Sequence, residues 1–123
     1  IVTPNVTELQ ILTGESDIHK GAEFLLDKGI KTVIVTGIRN NKFITNSVYS
    51  RGKNYGVSTK YIEGSFSGTG DLFAALVMGY MINGLDSCKA TEKATLFLSK
   101  VLNNTKTQDK RLGVDFEPFL KEL

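Results

Sequence analysis

The chain has 123 residues, 41% of them apolar and 23% charged, with a formal net charge of +2. That is one domain or part of one, able to bury a core, and the charge is too small to argue for nucleic acid. No apolar run approaches membrane-spanning length, no signal peptide is visible, and a single cysteine, Cys88, excludes an internal disulfide; a reducing cytoplasm is the expected setting.

The chain opens on Ile1-Val2-Thr3-Pro4 without a methionine, and the apolar start reads as the end of a buried strand, so residues upstream are expected. Pro4 and Asn5 break that strand and start a helix near Val6 to Leu12, with Gly14 as its C-terminal cap. Ser16 or Asp17 caps a second helix through Lys28, with Ile18, Ala22, Leu25 and Leu26 on one face. Gly29 stops it. Lys31 to Thr36 is a β-branched run of the kind buried on both faces. Helix, glycine and strand in succession form half of a crossover unit and argue for a parallel sheet.

Two alternating segments follow, Lys42 to Ser50 and Tyr55 to Ile62. Arg51-Gly52-Lys53-Asn54 separates them as a turn, which predicts an antiparallel hairpin. Gly64 to Gly70 is a small-residue loop. Asp71 to Asn83 reads as a helix with Leu72, Ala75, Leu76, Gly79 and Tyr80 at helical spacing, closed by Gly84. Asp86 or Ser87 caps a further helix to about Asn103, whose Leu96, Leu98, Val101 and Leu102 read as core. Thr105 to Gly113 is a polar loop, its basic residues a solvated cluster, and Asp115 to Leu123 a short final helix. No repeat or linker divides the chain, and His19 reads as a surface residue with no spaced partner.

Three constellations carry chemistry. Ser67-Gly68-Thr69-Gly70-Asp71 places two glycines and an acid at the start of an apolar helix. Glycines expose backbone N–H groups, and a helix start adds unpaired N–H groups and a positive dipole end, which together seat an anion. An acid beside such a seat makes sense as a base for a hydroxyl that attacks a bound phosphate. As a bare pattern the loop also fits a tight turn with an ordinary helix-start carboxylate. Asn5 and Glu8, three apart, could orient water around Mg²⁺ or simply form a capping box. Val35-Thr36-Gly37 puts a hydroxyl and a glycine at the carboxyl end of a buried strand, where open α/β sheets bind ligands. It equally fits a strand ending at a turn.

Taken in order, Thr-Pro-Asn-x-x-Glu, Val-Thr-Gly after a strand and Ser-Gly-Thr-Gly-Asp-Leu-Phe-Ala resemble the carboxyl-terminal half of the pyridoxal/pyridoxine kinases of the ribokinase-like superfamily. The resemblance runs from Thr3 to about Val101 and is strongest at Gly68 to Ala75. It implies an α/β, ribokinase-like fold with a mainly parallel sheet flanked by helices and a β-hairpin. Residues 1–123 would then be the ATP-binding half of a kinase domain whose amino-terminal half is missing. The resemblance implies Asp71 as the catalytic base toward the 5′-hydroxymethyl of a vitamin B6 substrate, and Gly68, Thr69 and Gly70 as the anion hole. It implies Asn5 and Glu8 as organisers of Mg²⁺ through water, Thr3, Thr36 and Gly37 on the ATP phosphate side, and Phe66 near the nucleotide.

Gly37 departs from relatives that carry serine there, and the residues that grip the pyridine ring belong to the absent half. The hydroxymethylpyrimidine kinases are close relatives, some with Gly-Thr-Gly-Cys in this loop; Asp71 tilts the choice toward vitamin B6. A non-catalytic nucleotide-binding module is the alternative of a different class. The partners implied are ATP and a vitamin B6 vitamer, with no nucleic acid or membrane. A cytoplasmic homodimer is implied for the full-length protein, and the isolated fragment is expected to be inactive.

Overall fold

A computed structural model of the chain describes residues 1–62 and 68–104. Its elements are α1 (Val6–Thr13), α2 (Ile18–Asp27), β1 (Thr32–Asn40), β2 (Phe43–Ser50), β3 (Lys53–Lys60), α3 (Thr69–Ile82) and α4 (Ser87–Asn104). The expected final helix and the loop before it lie outside the described residues, as does most of the small-residue loop before α3.

Local signals explain the boundaries. Gly14 ends α1 in the left-handed region, and its N–H donates to the Gln10 carbonyl. Asp17 caps α2 by accepting from the Lys20 N–H at 2.9 Å, and Asp86 does the same for the Lys89 N–H ahead of α4 at 2.8 Å.

The three strands form an antiparallel sheet in the order β1-β2-β3. The parallel pairing expected of the sheet is confined, among the described residues, to the opening segment against β1. There the Val2 N–H donates to the Thr32 carbonyl, the Ile34 N–H to Val2 and the Thr36 N–H to Pro4. The rest of the sheet is a meander of two tight hairpins rather than one. Asn40 pairs with Phe43 across Asn41-Lys42, and Ser50 pairs with Lys53 across Arg51-Gly52. The first hairpin exists because β1 continues past Thr36 to Asn40. Its ladder shifts between Val35, which faces Ser47, and Ile38, which faces Thr45, so that Thr36 and Gly37 together oppose Asn46. That is a β-bulge, and Gly37 adopts φ +71° in it.

Helices cover both faces of the sheet. On one side Val33, Val35 and Tyr49 pack with Leu9 of α1 and Ala22, Leu25 and Leu26 of α2, and Ile38 joins this group from beyond the bulge. Burial, and after it the Asp17 carboxylate, push the Tyr49 hydroxyl above the ordinary tyrosine range. On the other side Ile34 and Val48 meet Phe73, Leu76, Val77 and Tyr80 of α3 and Ala90, Ala94, Phe97, Leu98 and Val101 of α4. Val33, Ile34 and Val35 are each fully buried, as a strand covered on both faces requires.

The buried face of α3 is Phe73, Leu76, Val77 and Tyr80, and Ala75 is exposed. The stripe therefore sits one residue round from the expected one. A helix apolar nearly all the way round satisfies the helical period on several faces, and the facing sheet makes the choice. In α4, Leu98 and Val101 are core as expected, whereas Leu96 is 53% exposed. His19 is on the surface, its ring edge-on to Tyr49.

Candidate functional site

A cavity of about 460 Å³ opens where the bulge of β1, the ends of β2 and β3, the first turn of α3 and the second half of α4 converge. Its size is that of a small-molecule site. Thr36 and Gly37 form one rim and Thr69 and Gly70 another; Phe73, Leu98 and Leu102 supply apolar wall, and Asn5, Asn46, Thr95, Ser99 and Lys60 supply polar groups.

The α3 rim is built by glycine. Gly68 precedes the helix at φ +79°, and no side chain caps the helix start. A Cβ at Gly68 would meet nothing within 4 Å, so glycine is required there by backbone conformation and not by crowding. The Leu72 N–H donates to the Gly68 carbonyl at 2.9 Å and begins the helical ladder. The N–H groups of Gly70 and Asp71, in the turn before it, have no acceptor within the helix by its geometry. They add to the positive end of the α3 dipole beside the cavity. Asp71 is the acid of that first turn and is exposed.

The β1 rim is held differently. The Gly37 N–H donates to Asn46 Oδ1 at 3.0 Å, and Asn46 Nδ2 donates to Thr95 Oγ1 at 3.0 Å. The Thr95 hydroxyl donates in turn to the Thr91 carbonyl at 2.7 Å. Farther along the hairpin, the Arg39 guanidinium lies 3.5 Å from the centre of the Tyr61 ring, which borders the same cavity.

Of the expected site residues, Asn5, Thr36, Gly37, Thr69 and Gly70 gather around this one cavity, although they come from three separate stretches of chain. Gly68 and Asp71 flank Thr69 and Gly70 on the exposed start of α3. Thr3 and Glu8 instead line a shallow depression with Val2, Pro4, Ile11 and Leu12. Phe66 lies outside the described residues.

Asn5 and Glu8 do form a capping box. Glu8 Oε2 accepts from the Asn5 N–H at 2.9 Å, and Asn5 Oδ1 from the Glu8 N–H at 2.8 Å. Among the described residues no group of three or more His, Cys, Asp and Glu converges to hold a metal. One carboxylate and one amide are too few for a protein cage, but they suit Mg²⁺, which keeps several waters and takes phosphate oxygens as ligands.

Asn46, Thr95, Lys60 and Tyr61 were not evident in the sequence as site residues. Alternation predicts a strand at Asn46 and a helix at Thr95, but nothing local says which face looks into a cavity.

Comparison with known proteins bears on this geometry. The model of the phosphomethylpyrimidine kinase family matches residues 1–115. A hydroxymethylpyrimidine/phosphomethylpyrimidine kinase from Aquifex aeolicus is 26% identical over 125 residues, covering 95% of this chain and 47% of that protein. A pyridoxal kinase from Corynebacterium diphtheriae is 29% identical over 120 residues, 90% of this chain and 42% of that protein. The structure of the pyridoxal kinase from Staphylococcus aureus in complex with AMP-PCP and pyridoxal superposes with a TM-score of 0.83 at 28% identity, covering 94% of this chain and 47% of that one. The chain thus spans under half the length of the relatives it matches. The expected α/β, ribokinase-like fold is met. No helix among the described residues is long and apolar enough to cross a membrane.

Proposed function

From a chain that belongs to the phosphomethylpyrimidine kinase family, we propose the nucleotide-binding half of a kinase that transfers the γ-phosphoryl group of ATP to the hydroxymethyl group of a vitamin B6 vitamer. The observation that carries this reading is the meeting of Thr36 and Gly37 with Thr69 and Gly70 around one cavity, at an uncapped helix start that bears an acid.

In this proposal the first-turn N–H groups of α3, with Gly68, Thr69 and Gly70, hold the transferring phosphoryl oxygens and offset charge that grows in the transition state. Asp71 takes the proton of the acceptor hydroxyl. The freed oxygen bonds to the γ-phosphorus, the bond from that phosphorus to the β–γ bridging oxygen breaks, and ADP leaves. Thr36 and Gly37 steady the phosphates from the opposite rim, with Thr3 and Phe66 assigned to the nucleotide side by the family motif. Asn5 and Glu8 would orient the water shell of Mg²⁺, which supplies positive charge to the phosphates when bound.

The family model and the Aquifex relative favour a second acceptor, the hydroxymethyl group of an aminopyrimidine. Asp71 supports the pyridine, as does the likeness to a pyridoxal-bound kinase.

Calorimetric titration of the chain with AMP-PCP and Mg²⁺ tests the nucleotide half of the proposal. Saturable binding is expected, and absence of heat at millimolar ligand would refute it. A panel of pyridoxal, pyridoxine, pyridoxamine and hydroxymethylpyrimidine, offered to the kinase that carries this segment, tests the acceptor. Exclusive use of the pyrimidine would replace the vitamin B6 reading. The proposed full-length homodimer is tested by light scattering on the same protein.

A further inference from the structure

We infer that Asn46 is a positioning residue that locks the Thr36-Gly37 bulge into the rim of the cavity and ties that rim to α4 through Thr95. The inference deepens the nucleotide reading of this cavity and rests on it for what the rim contacts.

Chemistry at both ends of the amide fixes its role. A bulge takes one residue out of the strand ladder, and here the Thr36 N–H is already committed to the Pro4 carbonyl. The Gly37 N–H can only donate, and Asn46 Oδ1 accepts it at 3.0 Å. At the other end, the Thr95 hydroxyl spends its one proton on the Thr91 carbonyl. Thr95 Oγ1 can then only accept, and it does so from Asn46 Nδ2. The position therefore needs an acceptor and a donor on one short planar group, which asparagine supplies and aspartate or leucine does not. Asn46 sits directly opposite the two bulged residues, between the Val35–Ser47 and Ile38–Thr45 pairs.

The consequence is a preset rim. Gly37 is held at φ +71°, Thr36 is held on the cavity side of β1, and the whole is anchored to the wall of α4 rather than to the strand alone. Gly37, Asn46 and Thr95 all border the cavity.

Amide hydrogen exchange on the purified chain reads the lock directly, and titrations with AMP-PCP plus Mg²⁺ and with adenosine read its consequence. In the unmodified chain the Gly37 amide should be protected. Asn46→Leu should speed its exchange by about tenfold, the loss of one net hydrogen bond. Asn46→Asp retains the acceptor but loses the donor to Thr95, and should speed the exchange as Thr95→Val does and by less than Asn46→Leu. Thr95→Val does not touch Gly37 and should nonetheless speed its exchange, because Asn46 loses its second anchor. Asn46→Leu should weaken AMP-PCP by about tenfold and leave adenosine nearly unchanged. A Gly37 amide that is unprotected at the outset, or indifferent to both Asn46→Leu and Thr95→Val, overturns the lock. Equal losses for AMP-PCP and adenosine overturn the phosphate-side role, since they mark a cavity that has merely loosened. If the unmodified chain binds neither ligand, the nucleotide reading fails, and the exchange data alone sustain or overturn the lock.

Discussion

The two helices that begin beside the sheet, α1 and α3, start in opposite ways. The start of α1 is closed: Asn5 and Glu8 satisfy each other's backbone N–H groups in a reciprocal box. The start of α3 is open: Gly68 brings the chain in at positive φ, and no side chain reaches back to cap it. A side-chain cap at a helix start contributes about 1 kcal/mol. Forgoing that at α3 leaves a first turn with orphan backbone donors beside the cavity that Thr69 and Gly70 line. The difference teaches that α1 secures its own start, whereas α3 leaves its start open, as the proposed seat for an anion requires.

Four substitutions would break or sharpen that contrast. The largest effect is expected at the open start. Asp71→Asn in the active kinase should lower turnover by about 10²- to 10⁴-fold and leave AMP-PCP affinity unchanged, as a coupled ADP-release assay and calorimetry would show; near-normal turnover removes Asp71 from the role of base. Gly68→Ala comes next. A Cβ there meets no neighbour, so the cost is the left-handed backbone alone, about 1–2 kcal/mol, read by thermal unfolding. A neutral result would mean that the turn relaxes freely and that the seat is not preset.

At the closed start, Asn5→Ala should cost about 1 kcal/mol of stability, seen as a lowered urea midpoint. The smallest stability change, within about 0.5 kcal/mol, belongs to Glu8→Gln, because glutamine can close the same box. The same variant should still raise the Mg²⁺ concentration needed for half-maximal activity. An unchanged Mg²⁺ requirement would confine Glu8 to capping and leave the contrast between the two helix starts complete.

Much of this was legible in the sequence where the signal is local. Asp17 and Asp86 announce helix starts, Gly14 announces a stop, and the run Val33-Ile34-Val35 announces burial on both faces. The Gly68 to Asp71 stretch was readable for the same reason, since backbone permissiveness and charge lie side by side. What escaped depends on distant partners. Gly37 reads as a strand end, yet β1 runs on to Asn40 because β2 pairs with it across a bulge. Asn46 acquires its role from Gly37, nine residues before it, and from Thr95, 49 residues after it. The buried side of α3 was chosen by the sheet it packs on, a choice that its own uniformly apolar surface leaves open.

The extra residue in β1 also resets the strand's alternation. Were β1 of the same length to run on without a bulge, side chains two apart would share a face, and Ile38 would fall in step with Ile34. With it, Ile38 falls in step with Val33 and Val35 and reaches the α1–α2 side of the sheet. Loss of a single codon at Thr36 or Gly37 would therefore remove the bulge and leave Ile38, Arg39 and Asn40 on the faces they now occupy. The arm carrying Arg39 toward Tyr61 would keep its direction. Such a deletion would cost the cavity its bulged rim while the outer half of the strand kept its frame.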